Sequence, residues 1–356
     1  MVEAGTDRYT QFTLAAAEQA VQASGARLDP ARTAIVHGTT LGGVRAMQRA
    51  QHDLEQRGPE AIDRKTLIKI APNMPAAQVA MRWGLHGPQL TVTTTCASSL
   101  DAIGTAALLV AGGRADAAIA GGTEGGWTGV DGRAEDGFAP AIHYSQINYG
   151  MVVPGADRET ASIPFDRRRT GVVTGEGSAM VVLERADLAR ARGADVLAEI
   201  LGYGSLADAH HPSAPEPSGR WEAEVMRQAI ADAGLRPDDI DALIAHATST
   251  PKGDTAEIRA INTVYVSERG APSPPVMSLK GHIGHPGAAA GAMGLIAAVL
   301  GMSAGALAHT AGTRYLDGEI DFDVVLDRPR SLDLRTVAIN AFGFGGQNAS
   351  LIVRRA

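Results

Sequence analysis

TVTTTCASSLDAIGTAALLVAGG (residues 91–113) and VMSLKGHIGHPGAAAGAMGLIAAVLG (residues 276–301) share one plan. Each is a short apolar or Thr-rich strand, a sharp turn and an Ala-rich helix, and this repeated plan decides the fold. Working outward, QAVQASG (19–25) and QAIADAG (228–234) match at a constant offset that places Ile35 on Ile244 and His37 on His246. In both copies an amphipathic helix stops at Gly. A Pro/Asp turn then leads into an apolar strand, TAIVHGTT (33–40) or DALIAHATST (241–250). A third pair, GEGSAMVVLE (175–184) and GGQNASLIVR (345–354), has the alternation and β-branched content of sheet strands. Three pairs in one order predict an α/β fold of two similar halves, residues 1–162 and 163–356.

The copies differ at their starts. MVVLE, ADLARARG and VLAEILGYGSL, within residues 180–206, predict a strand, a helix and a strand that open the second half. Nothing corresponds before the first half's helix at 11–25. Between the halves, residues 125–162 are rich in Gly, Asp and Pro with weak periodicity, which predicts a long functional or covering loop.

The 356 residues hold 32 Lys+Arg against 39 Asp+Glu, a net charge of −7, with 45% apolar residues. Mild acidity without a basic run argues against a nucleic-acid groove. The single cysteine excludes a disulfide framework or Cys-rich metal site and fits a reducing cytoplasm. The N-terminus has no apolar signal region. The longest nearly apolar stretch, 288–302, is shorter than the roughly 20 residues of a membrane span, so it reads as a buried helix.

Cys96 sits between the Thr-rich strand at 90–95 and the helix at 97–110. A thiol there meets the positive end of the helix dipole and unpaired N–H groups, which favour thiolate. A lone cysteine is more often a small buried hydrophobe. The strand-to-helix turn and its polar threonines and serines favour a nucleophile instead. His246 ends the matching second-half strand, in HATSTPKGDTAE, where Asp254 and Glu257 could orient its imidazole or cap the next helix. His285 lies in the counterpart of the cysteine turn, five residues after Lys280. His282 and His285 have the spacing of a metal pair. Pro286 and the glycines spoil a continuous ligand face, so no metal is expected. AINAFGFGGQNASLIV (338–353) is neither a Walker loop nor GxGxxG. It is a Gly-rich strand turn, or a place where N–H groups approach a reacting oxygen.

Together these segments resemble a β-ketoacyl synthase of the thiolase-like superfamily. The resemblance is carried by TTTCASS at Cys96, HATSTPKGD at His246, SLKGHIGHPGAAAG at Lys280 and His285, NAFGFGGQN at 340–348, and PFDRRRTGVVTGEGSAM from Pro164. It runs from about residue 10 to the C-terminus. It implies a five-layered αβαβα fold and decarboxylative Claisen condensation of an acyl group with malonyl-acyl carrier protein. By the family pattern Cys96 is the acylated nucleophile. His246 and His285 act on the malonyl thioester, supported by Lys280 and Glu257. The N–H groups of Cys96 and Phe344 form the oxyanion hole, with Phe344 as gate and Phe342 beside it. Thr248 and Thr250 fall where the phosphopantetheine arm is bound. No cofactor is implied beyond that arm of the carrier protein. The expected assembly is a homodimer, or a heterodimer with a chain-length-factor-like homologue.

Residue types separate the relatives. A degradative thiolase uses a second cysteine, chalcone-synthase-like and initiating enzymes carry Asn where His285 stands, and a chain-length factor lacks the cysteine. The elongating Cys-His-His class, in fatty-acid or polyketide synthesis, remains. A Cys–His thioester hydrolase and a silent carrier-binding partner subunit are the alternatives. Departures from the family are the missing 60–70 residues at the start, HATST in place of HGTGT or HGTST, Gly281 in place of Ser, and the longer 125–162 segment.

Overall fold

The computed structural model describes residues 6–125 and 140–356. In the first part of the chain, α1 (Arg8–Ser24) leads to β1 (Thr33–Gly38), α2 (Val44–Arg57), α3 (Thr66–Ile70) and α4 (Met74–Trp83). Then come β2 (Gln89–Val92), α5 (Ser98–Ala111), β3 (Ala117–Glu124), α6 (Pro140–Asn148) and β4 (Gly177–Glu184). After α7 (Ala186–Ala191) follow β5 (Ala198–Ala207), α8 (Arg220–Asp232), β6 (Ala242–Ile244), α9 (Pro251–Ile261) and β7 (Val276–Met277). The chain closes with α10 (Lys280–Ile283), α11 (Ala290–Ala304), β8 (Ala306–Leu307), β9 (Arg330–Ser331), β10 (Thr336–Gly343) and β11 (Gln347–Arg355).

The duplication is realised strand by strand. One sheet has the order β2-β1-β3-β4 and the other β5-β11-β10-β6-β7, with β8 and β9 a separate small pair. In each, a central strand runs parallel to two neighbours, and the following strand returns antiparallel: β4 against β3, and β11 against β10. Only β5 has no first-sheet counterpart among the described strands. Ile35 is in register with Ile119, and Ile339 with Ile244.

Sheet membership moves the expected boundary. MVVLE does not open the second half; it lies in β4 and closes the first sheet. The eight buried residues of β3 need backbone partners on both edges, and β4 supplies the second set. Divided by sheets, the chain changes halves after Glu184, not at residue 162. Within the expected long loop, 140–148 is the helix α6. Residues 126–139 lie outside the described residues.

Period-two alternation builds the layers. Ala34, Val36, Ala118 and Ala120 face a central core shared with Leu100, Ile103, Ala292, Leu295, Val337 and Ile339. Ile35 and Ile119 face the other way, onto Ala17 of α1 and Val79 of α4. Leu243 and Ala338 pack outward against Val225 and Met226 of α8 and Ile258 of α9. The result is the expected αβαβα sandwich, with α5 and α11 as the middle layer. Gly287–Ala304 is long and apolar enough to cross a membrane, but it is packed between the sheets and 56% of it is buried there. Apolar faces on all sides suit a helix with sheets above and below.

Candidate active site

The nucleophile candidate stands on a strained turn. β2 ends at Val92, short of the expected Thr95, and Thr95 has a left-handed φ of 50°. Such a conformation costs a branched residue roughly 1–2 kcal/mol, so neighbours must hold it. Ser98 does so from the first turn of α5. Its Oγ accepts from Thr94 N at 2.9 Å and donates to Thr95 O at 2.6 Å. Thr95 Oγ1 donates to Phe344 O at 3.0 Å. Gly343 allows that approach, because a Cβ there would lie 3.1 Å from Cys96 N and overlap Thr95 Oγ1. Cys96 sits in a single 3-10 turn, Thr95–Ala97, ahead of α5.

The folding of one half onto the other brings the two histidines to this turn. His285 Nε2 lies 3.0 Å from Cys96 Sγ. The His246 ring stands edge-on to His285 with centroids 5.4 Å apart, and Phe342 packs against it at 5.7 Å. His246 lies two residues past the end of β6 at Ile244, rather than ending the strand. His285 does not end a strand. It follows α10 and Gly284, and its N–H donates to Val173 O at 2.7 Å. Nδ1 of both histidines is buried without a hydrogen-bond partner among the described residues. His282 turns elsewhere, to His309 O at 2.7 Å. Among the described residues no three His, Cys, Asp or Glu side chains group as metal ligands.

Glu257 acts on backbone. Its carboxylate accepts from His246 N at 2.8 Å, Ala247 N at 2.6 Å and Asn340 Nδ2 at 3.2 Å. It neither orients the imidazole nor caps α9, the two roles open from sequence; Thr250 is that cap, accepting from Gly253 N at 3.2 Å. Thr248 Oγ1 lies 3.1 Å from Thr250 Oγ1. Lys280 Nζ is buried and reaches Ala245 O at 3.5 Å. Asp254 accepts from Phe165 N at 2.9 Å and Thr250 N at 3.2 Å. Arg169 donates to the backbone oxygens of Thr250 and Pro251. Sequence reading assigned no role to Arg169, Asn340 or Asp101 as structural supports; the first two lie inside quoted motifs, and at Asp101 the signal is a charge in an otherwise apolar helix.

Electrostatics set resting protonation. Burial pushes the half-buried Cys96 thiol up to about 12; Lys280 pulls it down, Glu124 pushes it up, and the N–H groups of Cys96 and Phe344 pull it down. Desolvation is thus the largest influence on the thiol, ahead of the charges and N–H groups around it. Burial, with Lys280 nearby, lowers His285 to about 3. His246 is also held well below its usual value, first by burial and then by Lys280 and His285. Burial lowers Lys280 to about 8, opposed by Glu257, Cys96 and Asp254. At neutral pH the site thus presents a thiol and two neutral imidazoles. A neutral imidazole in contact with a thiol can relay its proton during attack, and two imidazole N–H groups can stabilise an enolate.

Phe344 is 41% exposed and tilts against Tyr149 at 6.4 Å, whereas Phe342 is buried beneath His246. The two phenylalanines therefore have different surroundings.

Residues 3–189 match the family model for the β-ketoacyl synthase N-terminal domain, and residues 197–314 that for its C-terminal domain. The 3-oxoacyl-[acyl-carrier-protein] synthase 2 of Staphylococcus aureus (strain COL) is 35% identical over 357 residues, spanning 98% of this chain and 82% of the relative. The ishigamide ketosynthase/chain length factor superposes with a TM-score of 0.88 at 32% identity, over 99% of this chain and 83% of that one. A structure described as a type II PKS acyl-carrier protein in complex with its ketosynthase bound to the hexaketide contains a chain similar at TM-score 0.90 and 27% identity. That match covers 100% of this chain and 86% of the other.

Proposed function

The chain belongs to the β-ketoacyl synthase family of condensing acyltransferases, and from that premise we propose how its residues divide the elongation reaction. The Cys96 sulfur attacks an acyl thioester held on carrier protein while His285 relays its proton toward the departing sulfur, so that no free imidazolium accumulates. The carbonyl oxygen turns toward the N–H groups of Cys96 and Phe344. The carrier's pantetheine thiol leaves with a proton, and the acyl group remains on Cys96. A malonyl thioester then loses CO₂, and its enolate is stabilised by His246 and His285. The enolate carbon attacks the acyl carbonyl, and the Cys96 thiolate leaves the 3-oxoacyl product on the carrier.

The observation that carries this reading is the 3.0 Å contact of His285 Nε2 with Cys96 Sγ, beside a second histidine ring 5.4 Å from the first. Lys280 and Glu257 support it, the first through its buried charge and the second by fixing the backbone of His246. Thr248 and Thr250 are the proposed contacts of the pantetheine arm, which is the only prosthetic group in this scheme. The proposed partner is acyl carrier protein, in a reducing cytoplasm that keeps Cys96 free. A second copy of this chain, or a chain-length-factor-like homologue, is the proposed subunit. Support for the second copy comes from the edge strand β2, with Leu90 exposed on it and Met81 and Leu108 exposed on the flanking α4 and α5.

The test is intact-protein mass spectrometry after incubation with acyl and malonyl carrier thioesters. An acyl adduct that Cys96→Ala abolishes, together with a malonyl-dependent 3-oxoacyl product, supports the reading. Release of free acid without a carbon–carbon product would instead support thioester hydrolysis.

A further inference from the structure

The condensation scheme leaves the buried carboxylate of Asp101, on the helix that follows the nucleophile, unused. Asp101 lies on α5, three residues after Ser98 and so one turn along the same face. It is 4% exposed. Its Oδ2 accepts from Thr94 Oγ1 at 2.5 Å, and its Oδ1 accepts from the Tyr203 hydroxyl at 2.5 Å. Thr94 is the residue that leads into the left-handed Thr95 and hence into Cys96.

Tyr203 comes from the other half, on β5, the strand without a first-sheet counterpart. Its ring crosses to α5 and lies against Gly104, where any Cβ would overlap the ring carbons. Burial and the Asp101 charge raise its phenol, so it remains a protonated donor. Two hydroxyls from opposite sides thus converge on one carboxylate. Ser98 fixes the backbone of Thr94 and Thr95, and Asp101 fixes the side chain of Thr94.

We propose that Asp101 is a positioning residue for acyl transfer. Through Thr94 and Tyr203 it holds the turn in the geometry that aims the Cys96 N–H at the thioester oxygen. The proposal rests on the reading of Cys96 as the acylated nucleophile. An error of about 1 Å in such a donor can cost about 10²-fold in rate. Alkylation of the same sulfur by iodoacetamide develops no oxyanion and does not use that N–H, so the two reactions separate aim from access.

The experiment compares Asp101→Asn, Thr94→Val, Thr94→Ser and Tyr203→Phe in the full chain. Acylation of Cys96 by a hexanoyl-pantetheine thioester and alkylation by iodoacetamide are both followed by intact mass, with Tm measured alongside. Asp101→Asn and Thr94→Val should slow acylation on the order of 10–10²-fold while alkylation changes by less than about 3-fold. Thr94→Ser, which keeps the hydroxyl, should restore acylation. Should Asp101→Asn not fold, Thr94→Val against Thr94→Ser and Tyr203→Phe decide the matter by the same ratio. Equal slowing of acylation and alkylation, or slowing of neither in a folded variant, would overturn the positioning role. A wild-type chain that is alkylated but never acylated would overturn the nucleophile reading itself, and this proposal with it.

Discussion

His285 Nε2 and Cys96 Sγ are 3.0 Å apart although 189 positions separate the residues in the chain. The contact joins the two halves and makes the histidines unequal. From sequence the helix terminus was expected to favour the thiolate, and both histidines to act on the malonyl thioester. With the thiol pushed up to about 12, its proton must be relayed as the sulfur attacks, and among the described residues His285 Nε2 is the side-chain nitrogen placed for that, 3.0 Å from the sulfur. His285→Ala should therefore slow acylation of Cys96 by about 10²–10⁴-fold. His246→Ala should keep acylation and lose malonyl decarboxylation by about 10²–10³-fold. Mass spectrometry of the acyl adduct and CO₂ release separate the two; equal acylation rates would return the task to the helix terminus.

The same elevated thiol predicts a pH profile. Alkylation of Cys96 by iodoacetamide should rise steadily from pH 7 to pH 10 without levelling, because thiolate accumulates only toward about 12. A plateau below pH 8 would show that the thiolate is stabilised after all.

Stability should fall on the acid side. Burial lowers His37 and His285 to about 3 in the folded chain, against a usual value of 6.5. Between those values the unfolded chain binds more protons, so stability rises with pH from about 3 to 6.5 and is progressively lost on acidification. His37→Gln, which removes one of these titrations away from Cys96, should flatten the dependence of Tm on pH in that window. An unchanged slope would contradict it.

Phe344 is 41% exposed and is followed by Gly345, whose left-handed φ of 86° suits glycine. Phe344→Ala should change acyl-transfer rate or chain-length preference more than Tm. An unchanged chain-length profile and transacylation rate would remove the gate.

The exposed apolar residues around β2 should be covered by a second subunit. Light scattering should give a two-fold dimer at micromolar concentration. Leu90→Lys on that edge should shift the mass toward monomer, since a charge there must be desolvated on pairing. A wild-type monomer would count against it.

The duplicated strand–turn–helix segments, the amphipathic helix ending at Gly25 and the placement of Cys96 after β2 were legible in the sequence, because periodicity and turn chemistry are local. The family motifs also marked His246, Lys280, His285 and Phe344 before any geometry. Tertiary structure alone assigned β4 to the first sheet, since a strand's partner depends on which edge of β3 is open and not on its own pattern. It alone turned Glu257 onto the His246 backbone, set the burial that raises the Cys96 thiol, and chose His285 over His246 as the thiol's neighbour. Hydrogen-bond partners and desolvation depend on groups that arrive from distant parts of the chain. Residue types can therefore mark the site, but only the packing of one half against the other decides what each group does there.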